Sequence, residues 1–479
     1  MSNKVPQLIG HIGFLILLIL SAVIANERVI YIDSAAQLFE MIQRDGFVIY
    51  DYRYTMAITQ LLPLLCIKLQ LPLQAIIVAY SISAPLLAYG AYLIITYVLC
   101  DVKLGLALLL PLLCMRHTFF HAISESFSLM IYAILLAALL LHRPKGDAGI
   151  GRRILHAASI ALLTAAAVFI HPIGMFFVVF LIGYYLVDNK FRPNLSLILS
   201  FAVLVLCVIL RSTSVSGHDS DYLPTLPDVL YAVKHPTDMK VVIGFGHRLA
   251  DLYIYPIVLY VAVAVYHIRH HQWLRLAYGI LFNTGFILMT AIVYRWDNSA
   301  VCVERAWIPL IFFSAIPFVC ELVPSLSLRG KQIWLILMSV VLLLAFVKIG
   351  DTSKHYHQRK AKIEQITEIA NHAGLHKMVA SHEDLAGVFD IDSWCTSFES
   401  MLISALQGPE RTINIYVEDS PLQVDNPDYN VTDSFLAVPW WRLWPYTTLR
   451  PRWFSLPEQP FNKLTFSNGE PVIESFHNN

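Results

Sequence analysis

The sequence predicts a polytopic α-helical membrane protein with a small C-terminal α/β domain, and three observations carry that expectation. Of the 479 residues, 57% are apolar and only 14% are charged, against roughly 25% charged in soluble domains. Apolar segments long enough to cross a bilayer recur along residues 8–349. From Asp351 onward the composition becomes that of a soluble domain. Basic and acidic residues balance at 34 each, so the charge does not point to a nucleic-acid partner.

Candidate spans fall at 8–25, 73–99, 103–115, 123–142, 154–170, 172–188, 195–210, 251–268, 275–294, 306–323 and 331–349, about 11 in all. Segment 8–25 reads as an uncleaved first span, because it is longer than the usual core of a signal peptide. "VIA" before Asn26 keeps the cleaved alternative open. Segment 103–115 is short for a span. Around "HPIG" (His171–Gly174), Pro172 favours a break between two spans over one re-entrant feature. With the N-terminus inside, the short inner loops collect Lys4, Lys103, Arg143, Lys145, Lys190 and Arg329 among others. That density favours a cytoplasmic N-terminus, and an odd span count then places the tail outside. The 7 cysteines lack zinc-type spacing. Cys302 and Cys395 are the two that could pair on an oxidising side.

The polar residues gather in the outer loops. In "VIYIDSAAQLFEMIQRDGFVIYDYRY" (Val29–Tyr54), Ser34 and Gln37 have capping-box spacing, so a helix is expected from Ala35 to about Gly46. Ala35, Leu38, Phe39 and Ile42 form one apolar stripe, expected to lie on the outer membrane face. Asp33 reads either as a helix-start residue favoured by the dipole or as a carboxylate held at the bilayer surface, where it can act as a general base. "QLLPLLCIKLQLPLQ" (Gln60–Gln74) is too broken by Pro63, Lys68 and Pro72 to span, and reads as a second surface or re-entrant helix. Between them, in "DYRY", Arg53 is a phosphate ligand or an interfacial anchor.

"RHTFFHAISES" (Arg116–Ser126) places His117, His121 and Glu125 at i, i+4 and i+8, one face if the segment is helical. Two histidines and a carboxylate are possible metal ligands, without an HExxH motif. Phosphate or sugar contacts and plain interfacial histidines are the alternatives. His171 is a further outer-loop candidate. In "YRWDNSAVCVERAW" (Tyr294–Trp307), Arg295 and Arg305 are suited to phosphate, or else form local pairs, Arg295 with Asp297 and Arg305 with Glu304.

In the tail, Ile363, Ile366, Ile369 and Ala370 mark a helix ending near Gly374. "KMVAS" and "TINIYVED" read as strands. Phe398, Met401, Leu402 and Ala405 mark a second helix, stopped by Gly408. The chain thus divides into a membrane domain, 1–349, with surface helices in the first outer loop (26–72), and an extracytoplasmic α/β domain, 350–479.

This order of parts resembles the GT-C superfamily of integral-membrane glycosyltransferases, which use polyprenyl-phosphate-linked sugars. The resemblance covers nearly the whole chain as architecture. Members carry an acidic catalytic base in the first outer loop, a position that Asp33 matches. Many have two adjacent acidic residues there, whereas this chain has Ile32-Asp33-Ser34, which leaves Asp51 as a competitor. Glu125 lies in the second outer loop, where members often have another acidic residue. The resemblance implies that some of Arg53, His117, Arg295 and Arg305 hold the donor phosphate, and His121 and His171 are further candidates for phosphate or sugar contacts. It implies a polyprenyl-phosphate sugar donor, a glycan, lipid or protein acceptor, contact with membrane lipid, and a multi-pass location in a bacterial inner membrane. No cofactor is required, and a divalent metal is possible. A lipid-linked glycan polymerase or ligase, a transporter or flippase, and a non-catalytic scaffold are the rival readings.

Overall fold

The structure, a computed structural model, describes residues 4–142, 149–188, 190–192, 194–213, 220, 223–297, 299–385, 388–389, 391, 393–418, 426–438, 441–467 and 470–476. Arg143, Lys145 and Asp419 of the segments above lie outside them.

Among the described residues, 8 helices are long and apolar enough to cross a membrane: Lys4–Val23, Leu73–Val98, Ile150–Ile170, Leu195–Ser212, Leu249–Arg269, Trp273–Val293, Ala300–Ser325 and Leu328–His372. Each coincides with an expected span, and together they make the chain an integral multi-pass membrane protein. The other three expected spans are shorter apolar helices, Val102–Cys114, Glu125–Leu141 and Gly174–Asp188. The first of these is α-helical only to Ala107 and resumes as a 3-10 turn at Leu110. Pro111 has no N–H to return to Ala107, so the α-ladder stops. Leu195–Ser212 and Leu249–Arg269 turn Ile198, Val205, Ile209, Val258 and Val261 outward, as contact with lipid tails requires.

The break at "HPIG" is real. His171 is extended, and the Gly174 N–H bonds back to the His171 carbonyl at 2.8 Å. A Cβ on Gly174 would stand 1.9 Å from the Ala167 carbonyl oxygen, so the two helices meet here only through glycine.

Leu328–His372 is one continuous helix of 45 residues, so the boundary read between 349 and 350 falls inside it. Its far end becomes the first helix of the C-terminal domain, burying Ile363, Ile366 and Ala370. It stops in a left-handed cap at Gly374 (φ +68°). There the Gly374 N–H reaches Asn371 and the Leu375 N–H reaches Ala370. Helix Thr396–Ala405 follows. The strands are β1 (Lys377–Ser381), β2 (Asn414–Glu418), β3 (Ser434–Val438), β4 (Trp441–Pro445), β5 (Asn462–Ser467) and β6 (Glu470–Ser475). One sheet has the order β2-β1-β5-β6, with β1 parallel to both neighbours, while β3 and β4 pair antiparallel. β1 is buried throughout. Met378 and Ala380 pack with Ile366 and Ala370, and Val379 packs with Tyr416 and Phe461 on the opposite face.

The first-loop helix departs from expectation. It runs Ile32–Arg44, with Tyr31 before it and no side-chain cap, so the Ser34/Gln37 capping box does not form. Ser34 instead accepts the Ile123 N–H, and Gln37 bonds Tyr80 and Val48. Every residue from Ser34 to Ile42 is buried. The apolar stripe packs on Phe398, Met401, Phe435 and Phe454 of the C-terminal domain, not on lipid. A one-sided apolar helix reads the same for either neighbour. The helix Ala57–Lys68 keeps Pro63 inside it and shows Leu61 and Leu65 outward, as a surface helix would. All 7 cysteines are free, so the Cys302–Cys395 pairing is not made.

Candidate active site

A cavity of about 1290 Å³ opens where the helix bundle meets the C-terminal domain. One wall is the first-loop helix. Its Asp33, Ala36, Gln37 and Glu40 follow at i, i+3, i+4 and i+7, so they share the face that lines the cavity. Asp33 lies in the first turn, where the helix dipole favours its charge, and its carboxylate accepts a hydrogen bond from Trp394 Nε1 at 3.1 Å. Being a helix-start residue and facing the cavity are therefore compatible.

The same cavity is lined by a paired cluster. The Glu125 carboxylate receives Arg53 Nη1 at 2.5 Å on one oxygen and faces Arg305 Nη1 at 3.9 Å on the other. Asp51, in a left-handed turn with Tyr52 (φ +51° and +57°), lies 3.7 Å from Arg53. Two guanidinium groups thus meet two carboxylates, Glu125 and Asp51. A guanidinium carries five N–H donors, more than one carboxylate oxygen uses.

His117 and His121 also line the cavity. "RHTFFHAISES" is not one helix: a 3-10 turn spans His117–Phe120, and the α-helix begins at Glu125 under a Ser124 cap. The shared helical face expected for a metal site is absent, and Glu125 is engaged by arginines. Among the described residues no group of three His, Cys, Asp or Glu side chains comes together as metal ligands. Burial, with Arg248 and His355 nearby, lowers the His117 pKa to about 4. Burial likewise lowers His121 to about 4, against the opposing pull of Asp33. Both are therefore neutral near pH 7, and the positive charge there comes from Arg53 and Arg305. His121 Nε2 is buried with no hydrogen-bond partner among the described residues.

The cavity does not take in every expected residue. His171 is close enough to feel Arg53 and Glu125 but does not line it. Burial, then Arg53, hold its pKa well below the usual value. Arg295 is elsewhere. It pairs with Asp228 at 3.0 Å and does not line the cavity. Glu304 makes no ion pair with Arg305 among the described residues. It is fully buried and accepts the backbone N–H groups of Arg116 (3.0 Å) and Thr118 (2.9 Å), which fixes the loop bearing His117. Buried Arg28 fixes the same loop through the Phe119 carbonyl at 2.8 Å.

Trp394, Phe398, His355, Gln37 and Glu40 line the cavity as well, and the sequence reading did not single them out as site residues. Gln37 and Glu40 had a signal, the polar stripe continuing from Asp33. Trp394 and Phe398 had none, since only docking of the C-terminal domain brings them in.

No family model matches the sequence, and no curated protein matches it. One solved structure similar to it is the crystal structure of ArnT from Cupriavidus metallidurans bound to undecaprenyl phosphate. The identity is 12%, the coverage 87% of this chain and 90% of that one, and the TM-score 0.44.

Proposed function

We propose that the chain transfers a sugar from a polyprenyl-phosphate carrier to an acceptor hydroxyl, by direct displacement, at the membrane face that carries the C-terminal domain. The observation that carries this reading is one cavity lined both by Asp33, whose carboxylate accepts the Trp394 indole N–H, and by the Arg53–Glu125–Arg305 cluster. The acceptor oxygen forms a bond to the anomeric carbon while the bond from that carbon to the carrier phosphate breaks. The hydroxyl proton passes to Asp33 as general base. The departing phosphate gains negative charge, met by Arg53 and Arg305, which Glu125 holds in place beforehand. Neutral His121 supplies a hydrogen bond. As written, the reaction uses no cofactor. The face would be the extracytoplasmic one of a bacterial inner membrane, and the acceptor a glycan, lipid or protein hydroxyl.

A transporter would want charges at mid-membrane. A second buried cluster, Glu321 with His267 and Arg275, sits where Leu249–Arg269 ends and Trp273–Val293 begins, at a helix end.

The test is mass spectrometry of lipids co-purifying with wild type and with Asp33→Asn. The variant is expected to retain a polyprenyl-phosphate sugar that wild type has discharged. If neither form carries such a lipid, and added polyprenyl-phosphate glucose or mannose does not bind, the reading fails.

A further inference from the structure

We infer that Glu399, on helix Thr396–Ala405 of the C-terminal domain, is a positioning residue that sets the backbone of Ile32 and so aims Asp33 into the cavity. This rests on the reading of Asp33 as the base.

Ile32 has φ +42°, a left-handed conformation that a β-branched side chain resists. Such a residue persists only where its surroundings hold it, and strain of this kind concentrates at functional sites. Here both polar groups of Ile32 are gripped by one segment of the C-terminal domain. The Ile32 N–H donates to Glu399 Oε1 at 2.8 Å. The Cys395 thiol donates to the Ile32 carbonyl at 2.9 Å. Burial holds that thiol well above its usual pKa, so it keeps its proton. One residue further along, Trp394 holds the Asp33 carboxylate itself. Three side chains within six positions thus fix two consecutive residues of the membrane domain.

Glu399 is fully buried, and its two oxygens have divided tasks. Oε2 takes the Arg359 guanidinium through Nε (3.0 Å) and Nη2 (2.7 Å). Oε1 is thereby turned to Ile32 and Ser393. A purely structural ion pair would need only the first. Arg359 lies on the 45-residue helix that leaves the bundle, so the grip is referenced to the membrane domain and does not depend on the soluble domain alone.

The experiment uses the full-length protein in detergent and two readouts. A water-soluble carbodiimide labels carboxyls, and peptide mass spectrometry gives the labelling of Asp33 relative to Asp51. Release of polyprenyl phosphate from polyprenyl-phosphate glucose or mannose, with water taking the sugar as the acceptor hydroxyl, gives kcat and KM. Glu399→Ala removes the grip but also strands Arg359. Cys395→Ala loosens the Ile32 carbonyl and spares the ion pair, and Cys395→Ser keeps a donor. Glu399→Ala and Cys395→Ala are expected to change the labelling ratio at least about threefold. They should lower kcat about tenfold or more, with KM for the donor within about twofold. Cys395→Ser should restore both readouts. An unchanged labelling ratio in folded Cys395→Ala overturns the inference, and so does a changed ratio with undiminished kcat. If wild type releases no carrier while the labelling ratio still shifts, the glycosyl-transfer reading has failed and the positioning of Asp33 stands.

Discussion

At His121 burial decides the chemistry. The imidazole faces Asp33, Glu125 and Arg305, yet desolvation outweighs the two carboxylates and lowers its pKa to about 4. His117, facing Arg248, His355 and Arg116, is lowered to the same region. Both therefore bind protons more readily in the unfolded chain, whose histidines titrate near pKa ~6.5. Between those values the unfolded state holds more protons, so stability is lost as pH falls. Thermal unfolding in detergent should show a midpoint that drops from pH 7 to pH 4.5 and levels off below about pH 4. His121→Gln should flatten that slope. An unaltered slope in the variant would show that other groups set the acid limit. Sequence spacing singled out both histidines as site candidates. Their charge state was not legible, because it depends on how completely other elements enclose them.

At the scale of elements, the helix Ile32–Arg44 is the joint of the molecule. Phe39 stacks on Phe398 with ring centroids 4.7 Å apart and meets Phe454 at 5.0 Å. Truncating a buried aromatic of this kind costs about 3–5 kcal/mol. Phe39→Ala is expected to loosen the C-terminal domain from the bundle, with faster limited proteolysis in the segment after His372 and a lower thermal midpoint. Ile58→Ala, on an exposed position of the neighbouring helix Ala57–Lys68, should change neither. Equal proteolysis in the two variants would remove the case for this joint. The apolar stripe of the helix was plain in the sequence, since i, i+3, i+4, i+7 spacing survives any context. What it packs on was not: lipid tails and a protein core select the same side chains. The expected helical face of His117, His121 and Glu125 failed for a related reason. Regular spacing does not make a helix where Arg28 and Glu304, from distant segments, fix the backbone as a tight loop.

For the whole molecule, the C-terminal domain is a wall of the site, through Trp394 and Phe398. Ending the chain at Ala373 removes that wall and uncovers Ala35, Leu38, Phe39 and Ile42 of the first-loop helix. An exposed apolar stripe outside the membrane promotes association. The shortened protein is expected to elute from size exclusion as aggregate and to lose any co-purifying polyprenyl lipid. A monodisperse product with wild-type lipid content would place the site wholly in the membrane domain.

By itself the sequence determined the elements whose signal is a local period. These are the apolar segments that became the long helices, the break at Pro172, the strand "KMVAS", a strand within "TINIYVED" (Asn414–Glu418), and the helix stops near Gly374 and Gly408. A period of 3.6 or 2 needs no knowledge of the rest of the chain. Only the tertiary structure decided which polar groups meet. Asp33 meets Trp394 across 361 positions of sequence. Arg305 faces Glu125, and Arg295 pairs with Asp228. Charge and hydrogen bonding act over a few ångströms of space, and no local pattern ranks partners that the fold alone brings within that distance.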